Sequence, residues 1–376
     1  VAYDSEATKK WLQEHGDSLM KDKLAREILY LSDMKDQAQT IKMHVKDETL
    51  VKPDVKAVQI ENIGRTISAV NYGMSAIYAK LFDVLKQRFI SCLKPKYVYA
   101  IGLDFEQLAA QFLTNKNVTY MFENDYEKFD KQIDEYDISV EYEILKMLGL
   151  PDEVANVWLH IYNNITVVAS TVNLKLSCMR LSGALDTSIG NAIINFVALT
   201  DFCEKKNNEL EKLYVNGDDM LAVMNAWINI HEIAANIGMK FNLKCKPLLS
   251  KEVANFCRLL VWNDNGSTIL VPDYVRSYLK LQRDGHSKLY DENMIHNRNI
   301  SYAYKLNGIK EVVDNFKQYP IPKPWYPHDI AIVAASKYYG ITYEEVENMV
   351  AHIIKILSGD YKVYERKFTL WRIKRK

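Results

Sequence analysis

Few features of this chain announce a specialised class. Its five cysteines, Cys92, Cys178, Cys203, Cys245 and Cys257, are odd in number, far apart and without a C-x-x-C pair. Neither a disulfide framework nor a zinc site is indicated, and a reducing, cytoplasmic compartment is expected. Net charge is absent, because 48 Lys plus Arg balance 48 Asp plus Glu. No bulk field points to a polyanion, so any such partner has to be met by local patches. Apolar runs such as 192–199 are short and broken by polar residues such as Asn195, well under the roughly 20 residues of a membrane span. No signal peptide is expected from the residues given, and they show no internal repeat or Gly/Ser-rich linker. The nine prolines gather mainly at Pro320, Pro322, Pro324 and Pro327, an ordered loop or subdomain joint. What remains, 48% hydrophobic and 26% charged, is a globular chain and excludes a disordered or collagenous one. Its 376 residues suit two or three packed units or one large enzyme core. The first residue is Val rather than Met, so a piece of something longer is expected.

Periodicity predicts a largely helical region over 1–118, with Leu24, Ile28 and Leu31 at helix spacing, interrupted by a lysine-bearing segment from Lys42 to Lys56. Val118 to Phe122 is a β-prone run, and Asp137 to Leu148 is a helix with early acids. Pro151 sits at the first helical position of a helix over 152–162. Residues 166–172 and 174–178 alternate as a strand pair, and 187–204 is a long apolar helix. Two short strands, 213–216 and 220–224, are joined through Gly217-Asp218-Asp219. A helix near 228–236, a strand near Lys240 and a hairpin over 254–271 follow. Residues 330–339 and 343–357 are again helical.

Three constellations carry chemistry. Glu123 to Asp130 follows an apolar strand, and an aspartate at such a strand end is a good ligand for a hard cation like Mg²⁺. Alone it is equally a strand-terminating turn with solvated acids. Asp218 and Asp219 sit at the tip of an apolar hairpin, where adjacent carboxylates repel yet could, with Asp125, bridge two divalent ions. Alone they could simply keep an Asn-Gly turn wet. In the third, Ser182-Gly183 leads to Thr187, able to cap a helix, and to Asn191 one turn on. There Gly183 permits unusual backbone angles near a ligand. A capped helix after a turn explains that one by itself. The conjunction decides: D-x4-D, S-G-x3-T-x3-N and G-D-D occur in this order.

At these residues the chain resembles the RNA-dependent RNA polymerases of plus-strand RNA viruses. Phe129-Asp130-Lys131 and the turn Leu148 to Pro151 are similar to the alpha-like supergroup, whereas Met179 to Gly183 and Asn255-Phe256-Cys257 are also similar to tombusvirus-like enzymes. The order of elements fits from Lys42 to about Arg283. The resemblance implies an α+β right-hand polymerase with an antiparallel palm sheet flanked by helices. Residues 1–118 would be fingers, short for a complete enzyme; 119–272 the palm, with a fingers insertion near 137–180; and 273–376 the thumb.

The same resemblance implies that Asp125 and Asp218 hold two Mg²⁺ ions, for which Mn²⁺ can substitute, with Asp219 in support. It makes Asp130 and Asn191 sensors of the ribose 2′-hydroxyl. Ser182, Gly183 and Thr187 would position template and incoming nucleotide. Arg65 is the favoured cation of the nucleotide entry path, ahead of Lys42, Lys46 and Lys52. Lys246, ahead of Lys244 and Lys240, would protonate the leaving pyrophosphate. Phe256 and Cys257 lie in the primer-grip element and would bind RNA, although Phe256 equally suits a core. The basic tail, Arg366 to Lys376, suits product phosphates or plain solvation alike. Ala184 departs from the acidic residue many relatives carry after Ser-Gly.

Expected partners are template and nascent RNA, nucleoside triphosphates and other viral replication proteins. The expected place is the host cytoplasm at membrane-associated complexes, reached only indirectly. A reverse transcriptase shares the paired aspartates but carries a bulky aromatic gate in place of Asp130 with Asn191. An inactive palm acting as an RNA-binding scaffold would not need all three aspartates, and a metal-dependent nuclease would not need the Ser-Gly/Thr/Asn loop.

Overall fold

Strand and helix signals alternate along the chain, and the computed structural model describes residues 40–45, 66–70, 72–168, 173–205, 210–284 and 292–359. The readings at Leu24, Ile28, Leu31, Lys46, Lys52, Arg65 and the basic tail lie outside them. Strands β1 (Thr40–Val45) and β2 (Thr66–Ala69) precede a long helix α1 (Tyr72–Cys92), strand β3 (Tyr97–Tyr99) and helix α2 (Phe105–Leu113). The described part of 40–118 is therefore mixed, where a largely helical region was expected. β-Branched Thr and Val in β1 and aromatic Tyr in β3 favour the extended chain.

Strand β4 (Tyr120–Tyr126) leads to a short helix α3 (Phe129–Gln132) and to α4 (Glu135–Met147). Asp134 caps α4, its side chain accepting from the N–H groups of Tyr136 and Asp137. Helix α5 (Asp152–Asn163) begins after Pro151, which is the extended N-cap residue rather than the first helical one. Strands β5 (Ile165–Val168) and β6 (Asn173–Leu176) pair antiparallel, and α6 (Thr187–Lys205) follows.

The hairpin β7 (Leu210–Asn216) and β8 (Asp219–Met224) comes next, then α7 (Ile230–Phe241) and β9 (Cys245–Ser250). The strand expected near Lys240 is the last turn of α7, and strand structure resumes at Cys245. Apolar Ile233, Ile237 and Phe241, at helical spacing, bury that face of α7. The expected hairpin over 254–271 is a three-stranded meander of β10 (Val253–Phe256), β11 (Leu259–Asp264) and β12 (Ser267–Pro272). Cys257 and Arg258 break the run at φ 51° and 66°. Helices α8 (Tyr274–Asp284), α9 (Glu292–Lys305), α10 (Lys310–Asn315), α11 (His328–Tyr339) and α12 (Tyr343–Leu357) complete the described chain.

The central sheet has the order β3-β7-β8-β4-β9 and is antiparallel except for the β3–β7 pair. Period-two alternation splits its side chains between two cores. Phe122, Tyr126, Met220 and Ala222 face a cluster built with Trp158, Tyr162 and Ile193 from the helices. Met121, Tyr214, Leu221 and Val223 face Phe112, Phe256 and Leu259. A third cluster joins the meander to the C-terminal helices through Leu260, Tyr274, Leu306, Ile332 and Ile353. The result is mixed α and β with an antiparallel-rich sheet, as the α+β expectation required.

Candidate active site

Asp125 lies inside β4, next to its last residue, rather than after the strand as the sequence suggested. Alternation sends it to the face that Met121 occupies, opposite Phe122 and Tyr126. The β4–β8 ladder pairs Asn124 with Met220, so one step further Asp125 stands across from Asp219. On its other flank Asp125 is the register partner of Lys246 in β9, and antiparallel partners share a face. Asp125, Asp218, Asp219 and Lys246 are all exposed at this rim.

Asn216 pairs with Asp219, leaving Gly217 and Asp218 as the two-residue loop of the β7–β8 hairpin. Gly217 alone has positive φ, at 64°. Glycine at the first loop position replaces the Asn-Gly turn that the sequence allowed. The Asp219 carboxyl is raised from its ordinary pKa, first by loss of solvation and then by the charge of Asp125. Arg258, the Cys257 thiol and Arg276 work against that rise. Asp125 and Asp219 are thus close enough to repel each other, and the charge of Asp218 reaches Tyr126 and Cys257.

Among the described residues, no three His, Cys, Asp or Glu side chains are gathered tightly enough to hold an ion as they stand. The donor set still suits a hard divalent cation: exposed carboxylates at one rim whose mutual repulsion such an ion would relieve. Asp125, Asp218 and Asp219 would hold it.

Around this rim α6 presents a polar stripe. Asn191 Nδ2 donates to Asp130 Oδ1 at 2.9 Å, joining two residues the sequence had paired. Tyr126 Oη donates to Asn195 Oδ1 at 2.6 Å, and Asn195 Nδ2 donates to the Gly217 carbonyl at 2.7 Å. The Ser182 hydroxyl accepts from the Ser68 N–H at 3.0 Å, and the Gly183 N–H donates to the Ser68 carbonyl at 3.1 Å. Gly183 is not among the described residues with positive φ, so its freedom is not spent on a left-handed turn. Thr187 Oγ1 donates to the Leu181 carbonyl at 2.5 Å, closing the loop onto the start of α6.

Behind the loop lies a buried charge network that sequence reasoning missed. Arg180 is 1% exposed, and its Nη2 donates to Glu141 Oε2 at 2.5 Å, with Nη1 at 3.6 Å from Asp186 Oδ2. Tyr142 and Tyr162 donate their hydroxyls to Asp186. One guanidinium faces two buried acids, and burial raises the Glu141 carboxyl despite Arg180, with Asp186 adding to the rise. Asp137 is pushed up to about 7, chiefly by burial. The signal available was Arg180 two residues before Ser182, flanked by apolar residues, with Glu141 on an otherwise amphipathic helix.

On the Asp219 side, Asn216 Nδ2 donates to Cys257 Sγ at 3.3 Å, and burial raises the Cys257 thiol. Phe256 is 1% exposed and packs against Phe112 and Tyr214. It is a core residue, and its ring has no surface to offer an RNA base. Four basic residues, Arg258, Arg276, Lys280 and Lys305, gather on this side, and the first two act on Asp219. Lys305 is pushed down to about 8 by burial, against the pull of Asp273 and with the help of those three cations. This basic group arises from the tertiary approach of α8 and α9 to the β10–β11 turn, so no single stretch of sequence displays it.

Comparison with known proteins gives the same direction. The profile of the family described as RNA dependent RNA polymerase matches residues 2–319. The replicase polyprotein 1ab of Beet yellows virus (isolate Ukraine) is 25% identical over 370 residues, covering 87% of this chain and 12% of the relative. The RNA-directed RNA polymerase 2a of Cucumber mosaic virus (strain MB-8) is 28% identical over 255 residues, covering 65% and 28%. That of Tomato aspermy virus is 26% identical over 279 residues, covering 70% and 32%. The chain therefore spans less than a third of the length of these relatives.

Proposed function

The chain belongs to the RNA-dependent RNA polymerases of plus-strand RNA viruses, in the alpha-like supergroup, and on that premise we propose that it carries out template-directed RNA synthesis in viral genome replication and transcription. The reaction joins an RNA 3′-oxygen to the α-phosphorus of a nucleoside triphosphate, and the α–β phosphoanhydride bond breaks to release pyrophosphate. The observation that carries this reading is the placing of Asp125 across from Asp219 and beside Lys246 at one open rim.

Asp125 and Asp218, with Asp219 in support, would hold two Mg²⁺ ions, or Mn²⁺ in their place; when bound, these supply charge neutralisation at the attacking hydroxyl and at the triphosphate. Lys246, on the face of Asp125, gives its proton to the leaving pyrophosphate. Asp130, held through one oxygen by Asn191, keeps the other for a ribose 2′-hydroxyl, a group deoxynucleotides lack. Ser182, Gly183 and Thr187 shape the template side, and Arg65 serves nucleotide entry. Arg258, Arg276 and Lys280 meet the phosphates of the product strand beside Cys257.

In right-hand terms the five-stranded sheet is the palm, α8 to α12 are the thumb, and α1 with the β2-β1-β5-β6 sheet belongs to the fingers. Other viral replication proteins would bring the chain to membrane-associated complexes in the host cytoplasm. No helix among the described residues is long and apolar enough to cross a membrane.

The test is incorporation of labelled ribonucleotide on a primed homopolymer template with Mg²⁺ or Mn²⁺. Synthesis by the parent chain that disappears in Asp218→Ala supports the proposal. Equal synthesis in both would refute it.

A further inference from the structure

We infer that Asn195 is a positioning residue that fixes the separation of Asp125 and Asp218, and with it the affinity of the site for divalent cations. The inference rests on the metal-binding reading above and adds a residue that none of the motifs contains. Asn195 is 0% exposed, in the middle of α6 among buried Ile193, Ile194, Phe196 and Leu199. An apolar residue would satisfy that packing, so its carboxamide needs another explanation.

The explanation lies in what the carboxamide joins. Its Oδ1 accepts from Tyr126, the residue after Asp125, and its Nδ2 donates to the carbonyl of Gly217, the residue before Asp218. The β4–β8 ladder ends at the pair Asn124 and Met220. Asp125 and the hairpin loop therefore project beyond the last backbone pairing between their strands. Strand β9 holds Asp125 from the far side but does not reach the hairpin loop. Asn195 spans the gap from the opposite face of the sheet, where it takes no space from substrate.

Each end of the bridge is itself fixed. The Tyr126 ring packs edge-on against Phe129, with centroids 4.6 Å apart. Gly217 stands at φ 64° with nothing within 4 Å of where a Cβ would lie, so the glycine serves the backbone angle and not a close approach. An amide offers a donor and an acceptor on one short stem; aspartate would set a negative oxygen against the Gly217 carbonyl, and leucine would break both bonds. Groups that orient metal ligands without touching the ion change affinity by about 10- to 100-fold when removed.

The experiment uses Asn195→Leu, which keeps the branched shape in a larger side chain and removes both bonds, and Tyr126→Phe, which removes one. Mn²⁺ binding is read from the electron paramagnetic resonance of the free ion, with thermal unfolding as the control for folding. Asn195→Leu is expected to weaken Mn²⁺ binding about 10- to 100-fold and Tyr126→Phe to do so by a smaller factor. The Mn²⁺ concentration giving half-maximal nucleotide incorporation should rise in step, with the nucleotide KM at saturating Mn²⁺ unchanged. Folded variants with the parent affinity would overturn the inference and leave Asn195 a packing residue; should Asn195→Leu not fold, Tyr126→Phe decides alone. If Asp218→Ala binds Mn²⁺ as the parent does, the metal-binding reading has failed and this inference falls with it. Loss in Asp218→Ala without loss in Tyr126→Phe and Asn195→Leu refutes the positioning role alone.

Discussion

Asn191 donates a hydrogen bond to Asp130 across 2.9 Å, tying the first turns of α6 to the short helix that follows Asp125. The bond occupies Oδ1, and on the proposed function Oδ2 is the oxygen left for a ribose. Asn191→Ala frees that carboxylate. Its expected effect is a fall of about 10- to 150-fold in kcat/KM for ribonucleotides, the worth of one charge-assisted hydrogen bond. Deoxynucleotides should suffer less, so their ratio, measured in parallel single-turnover assays, narrows.

Lys246 shares a face with Asp125 through strand register. If it donates the proton to pyrophosphate, Lys246→Ala should lower kcat by about 10²-fold or more. Mn²⁺ affinity and nucleotide KM should change little. A loss confined to KM would make it a binding residue instead.

The buried network around Arg180 gives a stability prediction. Arg180→Met strands Glu141 and Asp186 without a cation and should cost about 3–5 kcal/mol by chemical denaturation. Glu141→Gln, which removes the excess acid, should cost clearly less. Gly190→Ala should also destabilise, because a Cβ there would lie 2.5 Å from the Glu141 carboxylate, an overpacking worth about 1–3 kcal/mol.

The same network sets a pH dependence. Asp137 is pushed up to about 7 and Glu141 is also raised, both chiefly by burial. The folded chain then binds more protons than the unfolded one between the ordinary carboxylate range and about pH 7. Stability from these groups is present at low pH and lost as pH rises through that window. The denaturation midpoint should drop between about pH 5 and about pH 8, and the drop should shrink in Asp137→Asn/Glu141→Gln.

Much of this was legible in the sequence because local rules and the tertiary answer agree there. The Thr187 helix and the C-terminal helices after Pro327 and Thr342 carry their own periodicity, Thr342 caps its helix, and the Gly217-Asp218 hairpin carries its own turn. The pairing of Asp130 with Asn191 followed from the motif resemblance. What escaped depends on distant segments meeting. Lys240 falls in a helix because its neighbours bury Ile237 and Phe241, not because of its own propensity. Phe256 looked like an RNA contact until Phe112 and Tyr214 enclosed it. The Arg180 network and the cation group of Arg258, Arg276, Lys280 and Lys305 are assembled from separate helices, loops and turns, and no window of sequence shows them together.

The central claim is that Asp125 and Asp218 support template-directed ribonucleotide addition. Its most direct test is single-nucleotide extension of an annealed RNA primer and template, with each of the four ribonucleotides offered separately. The account predicts a one-nucleotide extension with the complementary ribonucleotide alone, with matching pyrophosphate release, abolished in Asp125→Ala. Extension that ignores the template base, shortening of the primer, or activity undiminished in Asp125→Ala would contradict it.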